Sequence, residues 1–344
     1  MKKIVLIFTI LILVSAILVG VFWRKKTNPQ SSQNVQAAGN QQAEEKLEAI
    51  NGVPVNKELA AARPLAVIIE NHPDARPQSG LSSADVVYET LAEGGITRFL
   101  AIFQSSQAKA IGPVRSAREY FAEIADEWGA LFAHVGGSNE VINQLKNNYF
   151  KNLSDANEYY NFDFFPRNNY KPQPHHIFTS VEKLRELIKF HDFSNTAIYT
   201  AWKFKSDQPA DMATAKELNI DFSRAGYEVG WQYDALTNSY KRLQYFEAHM
   251  DEAAKKQITA KNVVAQIVNV TPVPKDPLLH VNIDMDSGGK AIILQDGKEI
   301  IGTWKKQNNR THYYNEAGQE VAFNRGPIWI ELVPQDKESK IVLK

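Results

Sequence analysis

Apolar and polar residues alternate along the chain in two different ways, one in each half. In the first half, short apolar runs predict strands, and apolar residues three or four positions apart predict helices. The strands are expected at 65–71, 86–92, 97–104, 130–135 and 175–178. Capping patterns indicate three helix starts, at Ser116-Ala-Arg-Glu119, at Ser138 and at Thr179-Ser-Val-Glu182.

The second half is predicted to be rich in strands that follow one another through turns. These strands are expected at 229–233, 240–245, 262–270, 291–294, 299–304, 311–314, 321–323 and 327–333. A polar stretch near 193–220 separates the halves. The pattern therefore predicts an α+β protein, with a mixed sheet and capped helices in an N-terminal domain at 51–195 and a smaller β-rich C-terminal domain at 215–337.

The N-terminus carries an uncharged apolar run at 4–23 that is long enough to cross a bilayer core of about 30 Å. It is longer than a signal-peptide core and is followed by Trp23-Arg24-Lys25-Lys26, a pattern typical of a membrane interface. We expect a single-pass signal anchor within 1–26, with cleavage as an alternative, and a flexible polar linker at 27–50. Flanking charge does not decide orientation, and export of the folded part is the commoner outcome.

Composition and charge exclude some classes of function. The chain has 39 Lys+Arg and 39 Asp+Glu, but five of the basic residues and no acid lie in residues 1–30. The remainder is mildly acidic, which disfavours nucleic acid as a partner. The chain has no cysteine, which excludes disulfides, thiolate nucleophiles, cysteine-ligated metals and a lipid-modified cysteine.

Arginines near a predicted helix start are the first candidate site. Arg115 and Arg118 lie three residues apart where a helix dipole would favour an anion. Gly136-Gly137-Ser138 ends a predicted strand and opens a helix, so its backbone N–H groups can approach an anion. With Arg76 and Arg98, these residues form the predicted anion site. Pairing of the arginines with nearby acids, and a plain Ser-capped turn, are the alternatives.

Two glutamates are the second candidate site. Glu89 and Glu93 lie four residues apart, a spacing that brings carboxylates together in either a strand or a helix. Such a pair can act as general acid and base, with His134 assisting. The alternative is a hairpin whose acids pair with Arg98, Arg115 or Arg118.

Other motifs add little chemistry. Adjacent His175 and His176 would point to opposite faces of a strand, and the other histidines lack metal-binding spacing. The segment from Asp284 to Gly289 resembles the start of a calcium loop, but Gln295 stands where the bidentate acid belongs, so a turn is expected. No metal and no cofactor are predicted. The second half is rich in aromatic residues, which could form a binding face or, more ordinarily, a sheet core: Trp231, Tyr233, Tyr240, Tyr245, Trp304, Tyr313, Tyr314 and Trp329.

Several short sequence motifs, which occur in the same order, resemble those of the YerB-like family and extend over roughly residues 52–336. In the first half they are Arg63-Pro-Leu-Ala-Val-Ile-Ile-Glu-Asn71, Ala75-Arg-Pro-Gln-Ser-Gly-Leu81, Ala84-Asp-Val-Val-Tyr-Glu89, Glu93-Gly-Gly-Ile-Thr-Arg98, Ile111-Gly-Pro-Val-Arg-Ser-Ala-Arg118 and Gly136-Gly-Ser138. In the second half they are Val229-Gly-Trp-Gln-Tyr-Asp234, Thr259-Ala-Lys-Asn-Val263, Gly302-Thr-Trp-Lys305 and Gly326-Pro-Ile-Trp329.

The resemblance implies a bacterial envelope protein with an α+β N-terminal domain and a β-rich C-terminal domain, attached to the outer face of the cell membrane. It implies no catalytic residues, because the family has no assigned activity. Family members are often lipoproteins held through an N-terminal cysteine. This chain departs from that pattern, and its apolar segment would serve as the anchor instead.

The leading interpretation is a membrane-anchored extracytoplasmic protein that binds an anionic envelope ligand or an envelope protein through an arginine-lined pocket. A hydrolase or transferase acting on envelope glycans, with Glu89 and Glu93 as acid and base, is the alternative. A protein–protein interaction module using the aromatic second half is the third. Whether the protein is an enzyme stays open.

Overall fold

The computed structural model describes residues 46–47 and 50–344, which belong to one compact unit spanning Ala43–Lys344. The predicted anchor and most of the predicted linker lie outside the described residues. The α-helices are α1 (Lys57–Ala61), α2 (Glu119–Glu127), α3 (Asn139–Lys146), α4 (Glu158–Asn161) and α5 (Val181–Phe190). Short 3-10 helices lie at Pro73–Ala75, Leu81–Ser83, Phe162–Phe164 and Gln335–Lys340.

Strands dominate the described part of the chain. In the first half they are β1 (Lys46–Leu47), β2 (Pro54–Val55), β3 (Leu65–Glu70), β4 (Val86–Leu91), β5 (Thr97–Phe103), β6 (Leu131–His134) and β7 (Ser154–Asn157). Between the halves and into the second they are β8 (Lys203–Lys205), β9 (Glu217–Asp221), β10 (Glu228–Asp234), β11 (Ser239–Gln244), β12 (Glu247–Ala248), β13 (Met250–Asp251), β14 (Lys256–Gln257) and β15 (Thr259–Ala260). The remainder are β16 (Asn262–Val268), β17 (Val270–Pro272), β18 (Val281–Ile283), β19 (Gly289–Gln295), β20 (Lys298–Gln307), β21 (Arg310–Asn315), β22 (Ala322–Asn324), β23 (Ile328–Pro334) and β24 (Val342–Leu343).

One large mixed sheet runs through both halves of the sequence, in the order β21-β20-β19-β16-β23-β4-β5-β3-β6-β7. Strand β23, near the C-terminus, pairs in parallel with β4 on one side and with β16 on the other. A second, antiparallel sheet has the order β12-β11-β10-β9-β24, with β15 also paired to β11. The predicted α+β class with a mixed sheet is confirmed. Strands from both predicted domains lie in the large sheet.

Both faces of the large sheet are covered, which explains why its central strands are apolar at nearly every position. On one face, Val67 and Phe99 pack in a core that includes Trp231 of the second sheet and Leu184 of α5. On the other face, α2 and α3 contribute to a core built around Trp128. Alternate residues of each strand serve the two cores, so β3 and β5 are buried throughout.

Most predicted strands are confirmed to within a few residues, but the predicted strand at 175–178 is wrong. Pro172 and Pro174 lack the N–H groups that a ladder needs, and the His175 N–H instead donates to the Pro172 carbonyl at 2.8 Å within a turn. The strand predicted at 321–323 is observed as β22, which pairs in parallel with β8, while β21 pairs with β20. The Val321 N–H still donates to the Tyr313 carbonyl at 2.8 Å.

The helix starts were predicted with mixed success. Ser138 caps α3, with its hydroxyl 3.4 Å from the Val141 N–H. Helix α5 is capped by Ser180, one residue after the expected Thr179. Helix α2 begins later than expected, with Arg118 at the cap position and no capping side chain, so the proposed Ser116 cap is wrong. Residues before Arg118 are held in an extended path along the end of the large sheet, which postpones the helix.

Candidate functional site

Three backbone segments meet at one end of the large sheet, and they carry most of the predicted arginines. Glu70 at the end of β3 lies opposite Arg98 at the start of β5. The segment that leads into α2 runs beside them, since the Arg115 N–H donates to the Ile68 carbonyl at 3.0 Å and Arg98 Nη1 donates to the Ser116 carbonyl at 2.9 Å. The sheet end therefore gathers residues that the sequence places far apart.

Glu93 joins two of these arginines into one cluster. Its Oε1 accepts from Arg98, and its Oε2 accepts from Arg118 Nη2 at 2.5 Å. Burial by itself would raise the pKa of Glu93, but the charges of Arg98 and Arg118 bring it below its ordinary value. The carboxylate stays ionised, so two guanidinium groups share one negative charge and the cluster keeps an excess positive charge.

The other two predicted arginines also have partners within the protein. Arg115 Nε lies 3.1 Å from Glu70 Oε1. Arg76 donates to the side-chain and backbone oxygens of Asn71, each at 3.0 Å, and its guanidinium lies over the Tyr227 ring at 5.1 Å. Internal pairing therefore accounts for Arg98, Arg115 and Arg118, while Arg76 forms no ion pair among the residues that the structure describes.

The Gly-Gly-Ser turn brings the starts of α2 and α3 side by side. The Ala117 N–H donates to the Gly136 carbonyl at 3.0 Å. Gly136 has φ +59°, and a Cβ there would lie 3.0 Å from the Tyr159 hydroxyl, so a glycine fits where a side chain would be strained. The two helices consequently present neighbouring N-terminal turns, each with backbone N–H groups that lack helical partners.

These helix starts border a cleft of about 340 Å³, closed on its other side by the β17–β18 hairpin. Its lining includes Arg118 and Tyr120 from α2, Ser138 from the turn, and His280 and Asn282 from the hairpin. Of the predicted anion-site residues, Arg118 and Ser138 line this cleft. Arg98 does not line the cleft, but it shares Glu93 with Arg118, which does.

Charges of both signs surround the cleft. Glu119, Glu123, Glu140 and Asp276 also line it. A hydrogen bond from the His280 N–H is the main reason that the pKa of Asp276 is lowered, so this acid is ionised. Burial raises the pKa of Glu123 to about 7. The cleft thus places a guanidinium and two helix starts near one another, with Glu119 and Glu140 in the first turns of those helices and Asp276 on the hairpin side.

The two predicted catalytic glutamates have separate partners. Strand β4 ends at Leu91, so Glu93 no longer follows the alternation that would have put it on the same face as Glu89. Glu89 is fully buried and accepts from Arg242 of β11 and from Thr97 Oγ1 at 2.7 Å. The described residues therefore bring Glu89 and Glu93 into two different ion-pair clusters.

His134 is likewise engaged inside the protein. It is fully buried, with Nε2 2.8 Å from Asp155 Oδ1 and Nδ1 2.6 Å from the Gly136 carbonyl. Both ring nitrogens are occupied, which suits a residue that holds the Gly-Gly-Ser turn in place.

Sequence reasoning missed a buried charged network between the two sheets. Glu331 of β23 lies next to Glu89 in the parallel register and accepts from Trp231 Nε1 at 2.9 Å. Arg242 lies over the Trp329 ring at 4.7 Å. Burial, followed by the charge of Glu89, raises the pKa of Glu331 well above its usual range, so Glu331 is neutral beside the Glu89–Arg242 ion pair. A single glutamate inside the apolar run of β23 was the available signal.

The network continues to the end of the sheet through uncharged groups. Arg242 contacts His249, and His249 Nε2 lies 2.8 Å from Gln78 Oε1. Gln78 Nε2 donates to Asn71 Oδ1 at 2.9 Å. Burial and the charge of Arg242 lower the pKa of His249 well below its usual range, so this ring is neutral. The chain thereby connects buried residues from both halves of the sequence.

Most of the aromatic residues of the second half form core. The buried members are Trp231, Tyr240, Trp304, Tyr313 and Trp329. Trp231 and Trp329 meet edge to face, with ring centroids 5.3 Å apart. Tyr245 is half exposed. These positions support the ordinary interpretation of aromatic pairs inside a sheet core.

Comparison with family models identifies the chain. The model described as "Protein of unknown function (DUF3048) N-terminal domain" matches residues 50–194, and the corresponding C-terminal domain matches residues 218–330. The chain belongs to this family. The resemblance to the YerB-like family is thereby confirmed.

A curated relative and a solved structure show that this DUF3048 protein is similar to YerB. The chain is 33% identical over 292 residues to "Putative lipoprotein YerB" of Bacillus subtilis (strain 168), which covers 83% of this chain and 85% of that protein. The crystal structure of the YerB protein from Bacillus subtilis matches with a TM-score of 0.76 and 31% identity, over 87% of this chain and 100% of that one.

No helix within residues 50–344 has the length and apolar character needed to cross a membrane. The apolar run at 4–23, the predicted anchor, lies outside the described residues.

Proposed function

We propose that this DUF3048 protein is an extracytoplasmic, membrane-attached binding protein, and that the cleft beside α2 and α3 binds a small envelope ligand carrying an anionic group. The observation that carries the proposal is the arrangement of Arg118. It is buried, it lines the cleft, and its Nε has no hydrogen-bond partner among the described residues. A buried donor without a partner costs free energy. This nitrogen is closed to solvent, so a ligand oxygen would satisfy it after a small turn of the guanidinium toward the cleft.

Two neighbouring helix starts add to this preference. Helix α2 has no capping side chain, so its first backbone N–H groups stay available. An anion at such a position gains about 0.3–1 kcal/mol from the helix dipole alone. The excess charge of the Arg98–Glu93–Arg118 cluster adds to the preference for a carboxylate or a phosphate, and Glu119 and Glu140 in the first turns of the same helices offset part of it.

The acids of the cleft restrict the ligand further. Ionised Asp276 on the hairpin side, and Glu119 and Glu140 in the first turns of α2 and α3, would repel a ligand that is anionic throughout. They suit hydroxyl groups or an amine on the rest of the molecule. The cleft, at about 340 Å³, is at the small end of ligand sites. We therefore expect a compact ligand, such as a cell-wall fragment or a phosphorylated sugar with hydroxyl or amino groups.

Location follows from a separate set of observations. The apolar run at 4–23 supports a single-pass anchor, and the relative's printed name calls that protein a lipoprotein. We infer that both proteins share a site at the outer face of the membrane and differ in how they are attached. Protease treatment of intact cells tests this: the folded part should be degraded while a cytoplasmic control survives. Protection of the folded part would contradict an outer location.

Ligand screening tests the binding function. The full chain, in detergent and with a chelator present, would be heated with cell-wall fragments, sugar phosphates and their uncharged analogues. At saturating concentration a ligand that binds only the folded state at 100 times its Kd adds about 2.7 kcal/mol of stability. We expect an anionic compound to raise Tm and its uncharged analogue to have little effect.

Arg118→Lys provides the matched variant. Lysine keeps the positive charge and the pairing with Glu93 but loses the planar array of donors. We expect the affinity for the ligand to fall by about tenfold, equivalent to about 1.4 kcal/mol, while the unliganded variant stays folded. Equal affinity in the two proteins, or no stabilising ligand in the screen, would contradict the proposed site.

The geometry gives less support to the hydrolase or transferase. Its acid and base were Glu89 and Glu93, and the structure gives each a separate internal partner.

A further inference from the structure

A second polar cluster lies at the end of β3, outside the α2–α3 cleft. His72 and His175 are about a hundred positions apart in sequence, yet their rings are neighbours, with centroids 5.3 Å apart and planes inclined by 13°. Asp74 joins them, and one potential ligand atom from each of the three residues lies within 4.8 Å of the others. We propose that His72, Asp74 and His175 form a binding site for a divalent transition-metal ion, with Zn²⁺ as the best fit.

The spacing suits a single ion. A metal lies about 3.2 Å from the centre of an imidazole that binds it, since Zn–N bonds are about 2.0–2.1 Å long. Two such rings at a tetrahedral angle therefore have centres about 5.2 Å apart, close to the 5.3 Å between His72 and His175. The two rings are stacked, so the partly exposed His72 ring has to turn for both rings to direct a nitrogen at one ion. His72 Nδ1 lies 3.6 Å from Asp74 Oδ2, near the edge length of about 3.3 Å for a tetrahedral zinc site.

Glu70 provides the supporting contact that metal-binding histidines usually have. Its Oε2 lies 2.7 Å from His175 Nδ1, while Oε1 is held by Arg115. A carboxylate on one ring nitrogen fixes the orientation of the ring and leaves Nε2 as the ligand atom. Both His175 and Glu70 are buried, so this half of the site is already rigid in the protein.

The other half of the site is accessible. His72 is partly exposed and Asp74 is exposed, so an ion can enter from solvent. Two nitrogens and one carboxylate oxygen are the ligand types that zinc accepts, and three protein ligands leave a position for water or another molecule. Asp74 also donates its backbone N–H to His72 Nδ1 at 3.2 Å, a weak contact that the ion would replace.

Sequence spacing could not indicate this site. The prediction of no metal rested on the absence of closely spaced histidines, and on a strand at 175–178 that would separate His175 from His176. The turn that follows Pro172 instead places His175 in contact with Glu70 and His72.

Metal binding by the untagged full chain tests the inference. After treatment with a chelator and its removal, Zn²⁺ is titrated by calorimetry and Co²⁺ is followed by its visible absorption, which reports low-coordinate nitrogen and oxygen ligands. We expect one ion per chain. His72→Ala changes a partly exposed side chain and Asp74→Asn an exposed one, so both variants should remain folded and lose most of the affinity.

Two further variants distinguish ligation from damage. His176→Ala removes the neighbouring histidine and should bind Zn²⁺ as the wild type does. Glu70→Gln should weaken binding by about 10–100-fold, because it removes the carboxylate that orients His175. No stoichiometric binding, or binding that His72→Ala and Asp74→Asn leave unchanged, would overturn the proposal. Since chelator is present in the ligand screen at the α2–α3 cleft, failure of either proposal leaves the other standing.

Discussion

At the scale of single residues, a group of charged side chains lies fully buried between the two sheets, and we expect stability to depend on it. Arg242 and Glu89 are both fully buried and form an ion pair, and Glu331 lies beside them in a neutral form. A buried pair of this kind is tolerated only while both members are present, because the remaining charge would otherwise be stranded away from water.

Replacing Arg242 should therefore be costly. Arg242→Met keeps most of the side-chain volume but strands the Glu89 carboxylate, and we expect a loss of about 3–5 kcal/mol in the free energy of unfolding. Glu331→Gln is the matched control, since a neutral amide replaces an already neutral carboxyl and should change stability by less than about 1 kcal/mol. Urea unfolding checks both. An equal loss of unfolding free energy in Arg242→Met and Glu331→Gln would contradict a neutral Glu331.

Glu123 in the cleft should make stability depend on pH. Burial raises its folded-state pKa to about 7, whereas an unfolded glutamate titrates at about 4.3. The folded protein thus binds more protons between these values, so the contribution is fully present below pH about 4.3 and is lost as pH rises through about 7.

The measurement compares urea midpoints at pH 5 and pH 8. Wild type should lose stability relative to Glu123→Gln between these two pH values. Glu316→Gln, in an exposed turn, should follow the wild type. If the difference in urea midpoint between wild type and Glu123→Gln is the same at pH 5 and pH 8, the folded-state pKa of Glu123 lies near its ordinary value.

From the sequence, the charged residues of the site could be predicted better than the residues with which they pair. Glu93 was predicted to pair with Arg98 or Arg118, and it does so with both. The partner of Glu89 could not be predicted, because Arg242 comes from a strand more than 150 positions later and reaches Glu89 only when the two sheets pack together.

At the scale of elements, local signals were reliable where local contacts decide the structure. The cap at Ser138 depends on a side chain and an N–H three residues later, and it forms as predicted. The cap expected at Ser116 also has a local signal, Glu119 three residues later, but pairing of residues 111–117 with other segments holds the chain extended. Tertiary contacts therefore delay α2 until Arg118.

Two serine variants test this difference. Ser180→Ala removes the hydroxyl that accepts from the Lys183 N–H at 3.1 Å, and we expect a loss of about 1 kcal/mol in unfolding free energy. Ser116→Ala removes the serine of the sequence Ser116-Ala-Arg-Glu119, which has a capping-box pattern but forms no cap, and should cost a few tenths of a kcal/mol at most. Thermal or urea unfolding checks the pair. A Ser116→Ala loss as large as that of Ser180→Ala would contradict the assigned start of α2.

At the scale of the whole molecule, the two family segments are interleaved. Strand β23 is inserted between β4 and β16, so the first half of the chain completes its sheet with a strand from near the C-terminus. The predicted boundaries at 51–195 and 215–337 stay a prediction about sequence units. Hydrophobic periodicity predicts only which residues face a core. It does not predict which strands pair when they lie far apart in sequence.

Interleaving should make unfolding cooperative across both segments. We expect the described part to unfold in a single transition, with a calorimetric enthalpy equal to the van't Hoff enthalpy. Differential scanning calorimetry of the full chain in detergent provides the measurement. Two separated transitions would show that the segments are stable independently of the shared sheet.

The central proposal is that the cleft between the helix starts and the β17–β18 hairpin binds an anionic ligand. Asn282 is exposed on the hairpin and lines the cleft, whereas Leu278 is exposed in the loop of the same hairpin and is not part of the lining. Tryptophan at the first position should fill the cleft, and tryptophan at the second should leave it open.

The most direct test is calorimetric titration of wild type, Asn282→Trp and Leu278→Trp with the anionic compound that stabilises the wild type most. We predict that Asn282→Trp weakens binding by at least about 100-fold, equivalent to about 2.7 kcal/mol, while Leu278→Trp binds like the wild type. Unchanged affinity in Asn282→Trp would contradict the assignment of the ligand to this cleft.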